Sequence, residues 1–277
     1  MGKRENIPVH LQLIHYLKTG FAVLDETVQQ EVIAFVEGQQ HKNGGFINRG
    51  GNPDLYYSLF GFWLALATDN SIAVEKFKSF INVQKEGKTV GAVDEMVLLL
   101  IDAELSPEKK HSLFSLLKMV FVKGKKIGLS YRFFLLTLIV DAQNSHKKLY
   151  YFFARIGLFF YKPKGNLPCS LMAALTFAKK TVRLKCTVEQ QKLFSYYVES
   201  GGFRAFESVP TADTLSTAVA LFALRETAFD MEIITPDCLD FIQQNYNSGA
   251  FLSGDGDETR DLEYTFYGML ALGTLIQ

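Results

Sequence analysis

Residues 249–277 read GAFLSGDGDETRDLEYTFYGMLALGTLIQ. A glycine turn carries a Phe inward and an acidic loop follows. An Asp then stands where it can cap an apolar helix. The same order occurs near the N-terminus, where Gly44-Gly45-Phe46 leads through a polar loop to Asp54, and again from Gly201-Gly202-Phe203 to Asp213. Setting Asp54 against Asp261 aligns DLYYSLFGF with DLEYTFYGM, so that Ser58 faces Thr265 and Phe60 faces Tyr267. Thr217 takes the same place after Asp213. A unit repeated with fixed punctuation predicts an array rather than a fold built around one motif.

Working outward, the chain alternates two kinds of helical segment. Nearly all-apolar stretches start near residues 54, 92, 128, 167, 213 and 261, and a more amphipathic stretch precedes each. A helix apolar on every side has to be covered on every side, whereas an amphipathic one can face water. Six of each, antiparallel and joined by short turns, close into a double ring. The expected fold is therefore all-α, an (α/α)6 toroid of six inner and six outer helices. Residues 1–25 form a lead-in helix and 26–277 a single domain. The predicted inner helices are 54–68, 92–105, 128–142, 167–180, 213–226 and 261–276. The predicted outer ones include a helix opened by Ser106-Pro107, one capped by Thr187 and running to Glu199, and one started by Thr235-Pro236. No strand alternation or hairpin signal is found.

Composition limits the function. With 48% hydrophobic residues, 24 Phe and a formal net charge of zero over 277 residues, the chain supplies a large core. It lacks the basic balance of a nucleic-acid binder, so no nucleic acid is expected. Cys169, Cys186 and Cys238 have neither CxxC nor zinc-ligand spacing. They read as reduced thiols of a cytoplasmic protein. The N-terminus has no long apolar run, so neither a signal peptide nor a span is expected there. Residues 150–161, YYFFARIGLFFY, are too short to cross a bilayer and read as a buried or surface-seeking helix, which allows peripheral membrane contact.

Phe35-x-x-x-Gln39, Gly44-Gly45-Phe46 and Asp54-x-x-Tyr57, with Gln244, Gly249-Ala250-Phe251 and Asp261-x-x-Tyr264, resemble the repeat of protein prenyltransferase β subunits and of squalene–hopene and other class II terpene cyclases. The resemblance implies an (α/α)6 toroid whose central apolar cavity holds a hydrophobic isoprenoid or polyene. The prenyltransferase zinc ligands would fall at Asp213, Leu215 and Tyr264. Leucine has no donor atom and Tyr is a poor zinc ligand, so no zinc is expected. The loop before Asp213 lacks the bases that hold diphosphate, and Mg enters only with a diphosphate substrate.

Class II cyclases protonate an alkene or epoxide with the middle Asp of a DxDD loop. Asp255-Gly-Asp257-Glu258 has that spacing, while Asp94-Glu95 has the position, at the start of an inner helix. One ionised carboxylate can hold a neighbour protonated, which is the chemical reason to look for pairs. Asp94 is the first candidate acid and Asp257 the second, with Glu95 and Asp255 as their companions. The plainer reading keeps Asp94 as a helix cap and Asp255 and Asp257 as turn residues. Tyr57, Trp63, Tyr131, Tyr264 and Tyr267 are candidate cavity-lining aromatics, with Asp213 and Asp261 at the rim. Aromatic faces stabilise a carbocation, but the same residues at helical spacing also build cores. The expected function is acid-initiated cyclisation of an isoprenoid or polyene. The alternatives are a non-catalytic lipid- or protein-binding toroid and a β-like subunit that needs an α partner.

Overall fold

A computed structural model describes residues 7–86, 92–105, 112–121, 129–143, 147–162 and 165–277, with backbone alone at 92–93, 119–121 and 129–134. The described residues are predominantly α-helical. In chain order they form α1 (Val9–Ala22), α2 (Glu26–Gly38), α3 (Leu55–Ala67), α4 (Ser71–Glu86), α5 (Ala92–Leu105), α6 (Leu113–Phe121), α7 (Leu129–Gln143), α8 (Lys147–Phe160), α9 (Cys169–Thr181) and α10 (Thr187–Phe194). There follow β1 (Phe203–Arg204), β2 (Ala212–Asp213), α11 (Thr214–Glu226), α12 (Thr235–Gln244), β3 (Tyr246–Asn247), β4 (Ala250–Phe251) and α13 (Leu262–Ile276).

The all-apolar helices are the covered ones. Along α3 every residue from Ser58 to Ala65 is buried, whereas α2 buries Val32 and Val36 alone. The same contrast separates α11 and α13 from α12, which buries Cys238 and Ile242. The chain groups into two compact units, residues 1–15 with 39–152 and residues 16–38 with 153–277.

In the first unit α3 packs on α4 and α5, α5 on α7, and α7 on α6. Phe62 stacks on Phe77 with ring centroids 4.7 Å apart, and Phe46 lies against Phe77. Asp141, almost fully buried near the end of α7, accepts the Val9 backbone N–H at 2.6 Å and the Tyr151 hydroxyl at 2.8 Å, and pairs with Lys147. In the second unit α11 lies between α9 and α13, with α10 on α9 and α12 on α13. Residues 16–22 of α1 cross α13 closely. A Cβ on Gly273 would stand 1.8 Å from the Tyr16 carbonyl oxygen, so only glycine fits.

The repeated punctuation has one structural meaning at three junctions. Asp54, Asp213 and Asp261 are N-caps in extended conformation. Their side chains accept the N–H of Tyr57 at 2.8 Å, Ser216 at 2.7 Å and Tyr264 at 2.8 Å. The aligned hydroxyls accept the N–H of the preceding loop Phe: Ser58 from Phe46 at 2.9 Å, Thr217 from Phe203 at 2.8 Å and Thr265 from Phe251 at 3.3 Å. Those three Phe side chains are fully buried or nearly so, each worth about 1.5–3 kcal/mol of transfer free energy. A buried Phe carries a buried peptide N–H with it, and the helix hydroxyl satisfies that donor.

The first glycine of each junction lets the loop touch a neighbouring amphipathic helix. Gly44, Gly201 and Gly249 have φ of 93°, 89° and 85°. A Cβ there would stand 2.1 Å from the Lys76 carbonyl oxygen on α4, 2.3 Å from that of Asp237 on α12 and 2.2 Å from that of Glu31 on α2. Within the second unit, the last junction of the chain thus rests on α2.

The structure corrects several sequence expectations. Strands do occur: β1 pairs antiparallel with β2, and β3 with β4, each over two residues. Two residues are too few to show a period-2 pattern, and the pairing closes the Phe loops rather than building a sheet. The helix expected to reach Glu199 stops at Phe194. There the chain turns so that Tyr197 bridges Phe203 and Val198 N–H reaches the Gly202 carbonyl. Thr187 is the first residue of α10 rather than its cap, which is Cys186, whereas α12 starts at Thr235 as expected. The start expected at Ser106-Pro107 lies outside the described residues.

Candidate functional site

Asp94 stands in the first turn of α5, partly buried. Its electrostatic neighbour is Asp54, the cap of α3, which lies forty residues away in sequence and beside it in space. The Asp54 carboxylate is engaged by two donors, the Tyr57 backbone N–H on Oδ1 and Asn48 Nδ2 on Oδ2 at 2.7 Å. Burial first, and then the Asp54 charge, push the Asp94 carboxyl above the usual carboxylate range. A carboxyl whose proton affinity is raised by burial and by a neighbouring charge is suited to donate a proton. Glu95, the companion expected from sequence, lies next to Asp94 on the chain and is likewise partly buried.

The aromatic candidates of this unit sit on the same helices. Tyr57 is partly buried and packs edge-on against Tyr56, which in turn meets Phe60. Trp63 is buried, and its indole N–H donates to Glu104 Oε2 at 3.1 Å. Tyr131 belongs to α7, and its side chain lies outside the described residues.

Glu104 is a site that sequence reading missed. Burial pushes its carboxyl up to about 7, with the Trp63 hydrogen bond pulling the other way. It is ten residues from Asp94 on α5, about 15 Å along the axis. The two groups therefore belong to opposite ends of one helix. The available signal was an acid next to the end of a largely apolar helix, with no basic residue three or four positions before it.

In the second unit Asp213 caps α11 and is partly buried, and its Oδ2 is buried without a hydrogen-bond partner. Burial raises its pKa, the Ser216 hydrogen bonds oppose that, and the charge of Asp255 adds to it. Asp255 is exposed and accepts the hydroxyl of buried Ser253. The loop is pinned to the start of α11, where Thr214 N–H donates to the Ser253 carbonyl and Thr214 Oγ1 to the Leu252 carbonyl, both at 2.7 Å. Asp257 accepts the Thr259 N–H at 2.9 Å and donates its own N–H to Asp255, which makes it a turn-forming residue. Asp261 is buried as the cap of α13. Tyr264 and Tyr267 are partly buried on that helix, Tyr267 edge-on to Phe266.

The structure thus brings Asp255 to Asp213 and Asp54 to Asp94, pairs that the DxDD spacing did not indicate. Cys169, buried at the start of α9, has its thiol pushed well up by burial and by Asp213. Cys186 and Cys238 are also free thiols. Among the described residues no group of three or more His, Cys, Asp or Glu is placed to hold a metal ion. None of their helices is long and apolar enough to cross a membrane. The chain matches no family model and no curated protein, so its chemistry is read from the residues themselves.

Proposed function

We propose that this protein is an acid-initiated isoprenoid or polyene cyclase of the (α/α)6 toroid class, with Asp94 as the proton donor. The observation that carries this reading is the pairing of Asp94 with Asp54. Burial, and then the charge of Asp54, raise the proton affinity of an acid at the start of an apolar helix, and two donors hold the Asp54 carboxylate in place. The toroid is supported by the three equivalent junctions and by the last of them resting on α2, which is how a ring of repeats closes.

In the reaction the Asp94 O–H bond breaks and a C–H bond forms at one alkene carbon of the substrate. The resulting cation is attacked by a second alkene of the same chain, which forms the ring C–C bond. A proton then leaves a neighbouring carbon, and Asp94 regains its own from water. The product is an isomer of the substrate, and no cofactor is consumed. Partly buried Tyr57 and the neighbouring Tyr56 supply π faces suited to a cationic intermediate. The reading uses no zinc, because Leu215 and Tyr264 fall where the resemblance puts the thiolate and imidazole of a prenyltransferase, and Mg would enter only with a diphosphate substrate.

The test is incubation of the purified protein with linear isoprenoid alcohols and hydrocarbons in D2O, followed by extraction and mass spectrometry. A cyclic isomer carrying one solvent deuterium, lost in Asp94→Asn, is the expected result. Recovery of a bound lipid that no condition converts assigns the protein to lipid binding and overturns the cyclase. A product formed equally by Asp94→Asn removes Asp94 from the role.

A further inference from the structure

We propose that the outward face of α8 docks the protein on an anionic membrane surface, with the helix lying in the plane of the headgroups. Leu149, Phe152, Phe153, Ile156, Phe159 and Phe160 are between 44% and 73% exposed. Residues 149, 152, 153, 156 and 160 recur at three- and four-residue spacing and so share one stripe of the helix. Tyr150 and Leu158, on the opposite side, are the more buried positions. The most apolar stripe of this helix is thus largely solvent-exposed, whereas the amphipathic α4 buries Ala73, Phe77 and Ile81.

Charge identifies the occupant. Lys148 and Arg155 are seven residues apart, hence on one line along the edge of that stripe, and Lys162 follows just past the helix end; all three are exposed. From Lys147 to Lys162 the sequence has four lysines and arginines and no Asp or Glu, and of these Lys147 is paired with Asp141. An apolar protein partner would need the aromatics but gain nothing from a cationic border. Nucleic acid would need the border but gain little from aliphatic Leu149 and Ile156. An aromatic-aliphatic stripe edged with Lys and Arg fits the boundary between acyl chains and anionic headgroups, where both parts contribute. At fourteen residues α8 is too short to span a bilayer, so it lies in the interface. This inference is independent of the reaction proposed above.

The experiment is sedimentation of the full chain with vesicles of phosphatidylcholine alone or with added phosphatidylserine, at low and at physiological salt. The wild type is expected to bind the phosphatidylserine vesicles and to lose affinity as salt rises. Lys148→Glu with Arg155→Glu should lower the partition coefficient by roughly tenfold or more. Phe152→Ser with Phe160→Ser should weaken binding on both vesicle types. These four residues are exposed, and unchanged helicity by circular dichroism confirms that the variants fold. No binding to either vesicle type overturns the proposal, as does equal binding to both. Duplex DNA shifted by the wild type and released by charge reversal, with vesicles ignored, reassigns the face to nucleic acid. Self-association abolished by the Phe variants, again with vesicles ignored, reassigns it to a second copy of this chain.

Discussion

The two carboxylate pairs use the same parts in opposite order. At the start of α3 the capping Asp54 is engaged by two donors and supplies the charge, and the raised acid is Asp94 on the neighbouring helix. At the start of α11 the capping residue Asp213 is itself the raised acid, and the charge comes from Asp255 in an exposed loop. The difference teaches that a capping Asp can be either the charge that acts on a neighbour or the acid that is acted on, according to which loop lies across the helix end. It also separates the roles. Asp94 is not itself a cap, whereas Asp213 has one oxygen committed to the Ser216 N–H.

The largest expected effect is on turnover. Asp94→Asn should lower the rate at least a hundredfold, the low end of what a positioned acid contributes. Asp213→Asn keeps a capping oxygen and should change the rate by less than tenfold. Parallel product assays on the two variants check this, and a reversed order would transfer the acid to the second pair.

A pH series sharpens the comparison by isolating the other raised carboxyl of α5. Glu104 has its pKa moved from 4.5 to about 7, so the folded state holds its proton more tightly than the unfolded chain. Its contribution to stability is complete below the unfolded value and is lost as pH rises through about 7, by roughly 3 kcal/mol in all. Glu104→Gln should remove that loss, making the variant gain on the wild type between pH 4.5 and 8 in denaturant titrations. His10 works in the opposite sense, since burial lowers it to about 4 and its contribution is lost as pH falls from 6.5 through that value. Both proteins share this acid-side loss, so it cancels in the difference. A variant whose difference from wild type is flat with pH would show that Glu104 ionises normally.

The junctions that hold the two pairs are tested by steric change. A Cβ on Gly61 would stand 2.3 Å from the Phe46 ring, and one on Gly268 would stand 2.2 Å from the Phe251 ring. Gly61→Ala and Gly268→Ala should each cost about 1–3 kcal/mol by overpacking. The corresponding residue on α11 is already Ala220, and Ala220→Gly should cost only about 0.5–1 kcal/mol of helix propensity. Equal costs at all three positions would mean that the junctions are not built alike. A smaller effect of about 1–2 kcal/mol is expected for Ser58→Ala and Thr217→Val, which leave the Phe46 and Phe203 N–H groups buried without their acceptors. Thermal unfolding of each variant measures these.

Much of this frame was legible in the sequence because it is local. The caps at Asp54, Asp213 and Asp261 sit three residues before the N–H they bind, and alignment alone placed Ser58, Thr217 and Thr265 together. The alternation of apolar and amphipathic stretches gave the helices to within a few residues. What was not legible is long-range. The neighbour of Asp94 proved to be Asp54 rather than the adjacent Glu95, and Asp255 turned toward Asp213 rather than completing a DxDD acid with Asp257. Glu104 was hidden for the same reason, since the Trp63 that binds it lies forty-one residues away.

The central claim is that burial, together with the charge of Asp54, raises the proton affinity of Asp94. Carboxyl carbon NMR of the protein labelled at aspartate, with Asp94 assigned through Asp94→Asn, measures this in the absence of any substrate. Asp54→Asn preserves a capping oxygen while removing the charge. The account predicts an Asp94 titration above the ordinary aspartate range that moves down in Asp54→Asn. An Asp94 that titrates in the ordinary range, or does not respond to Asp54→Asn, would contradict it.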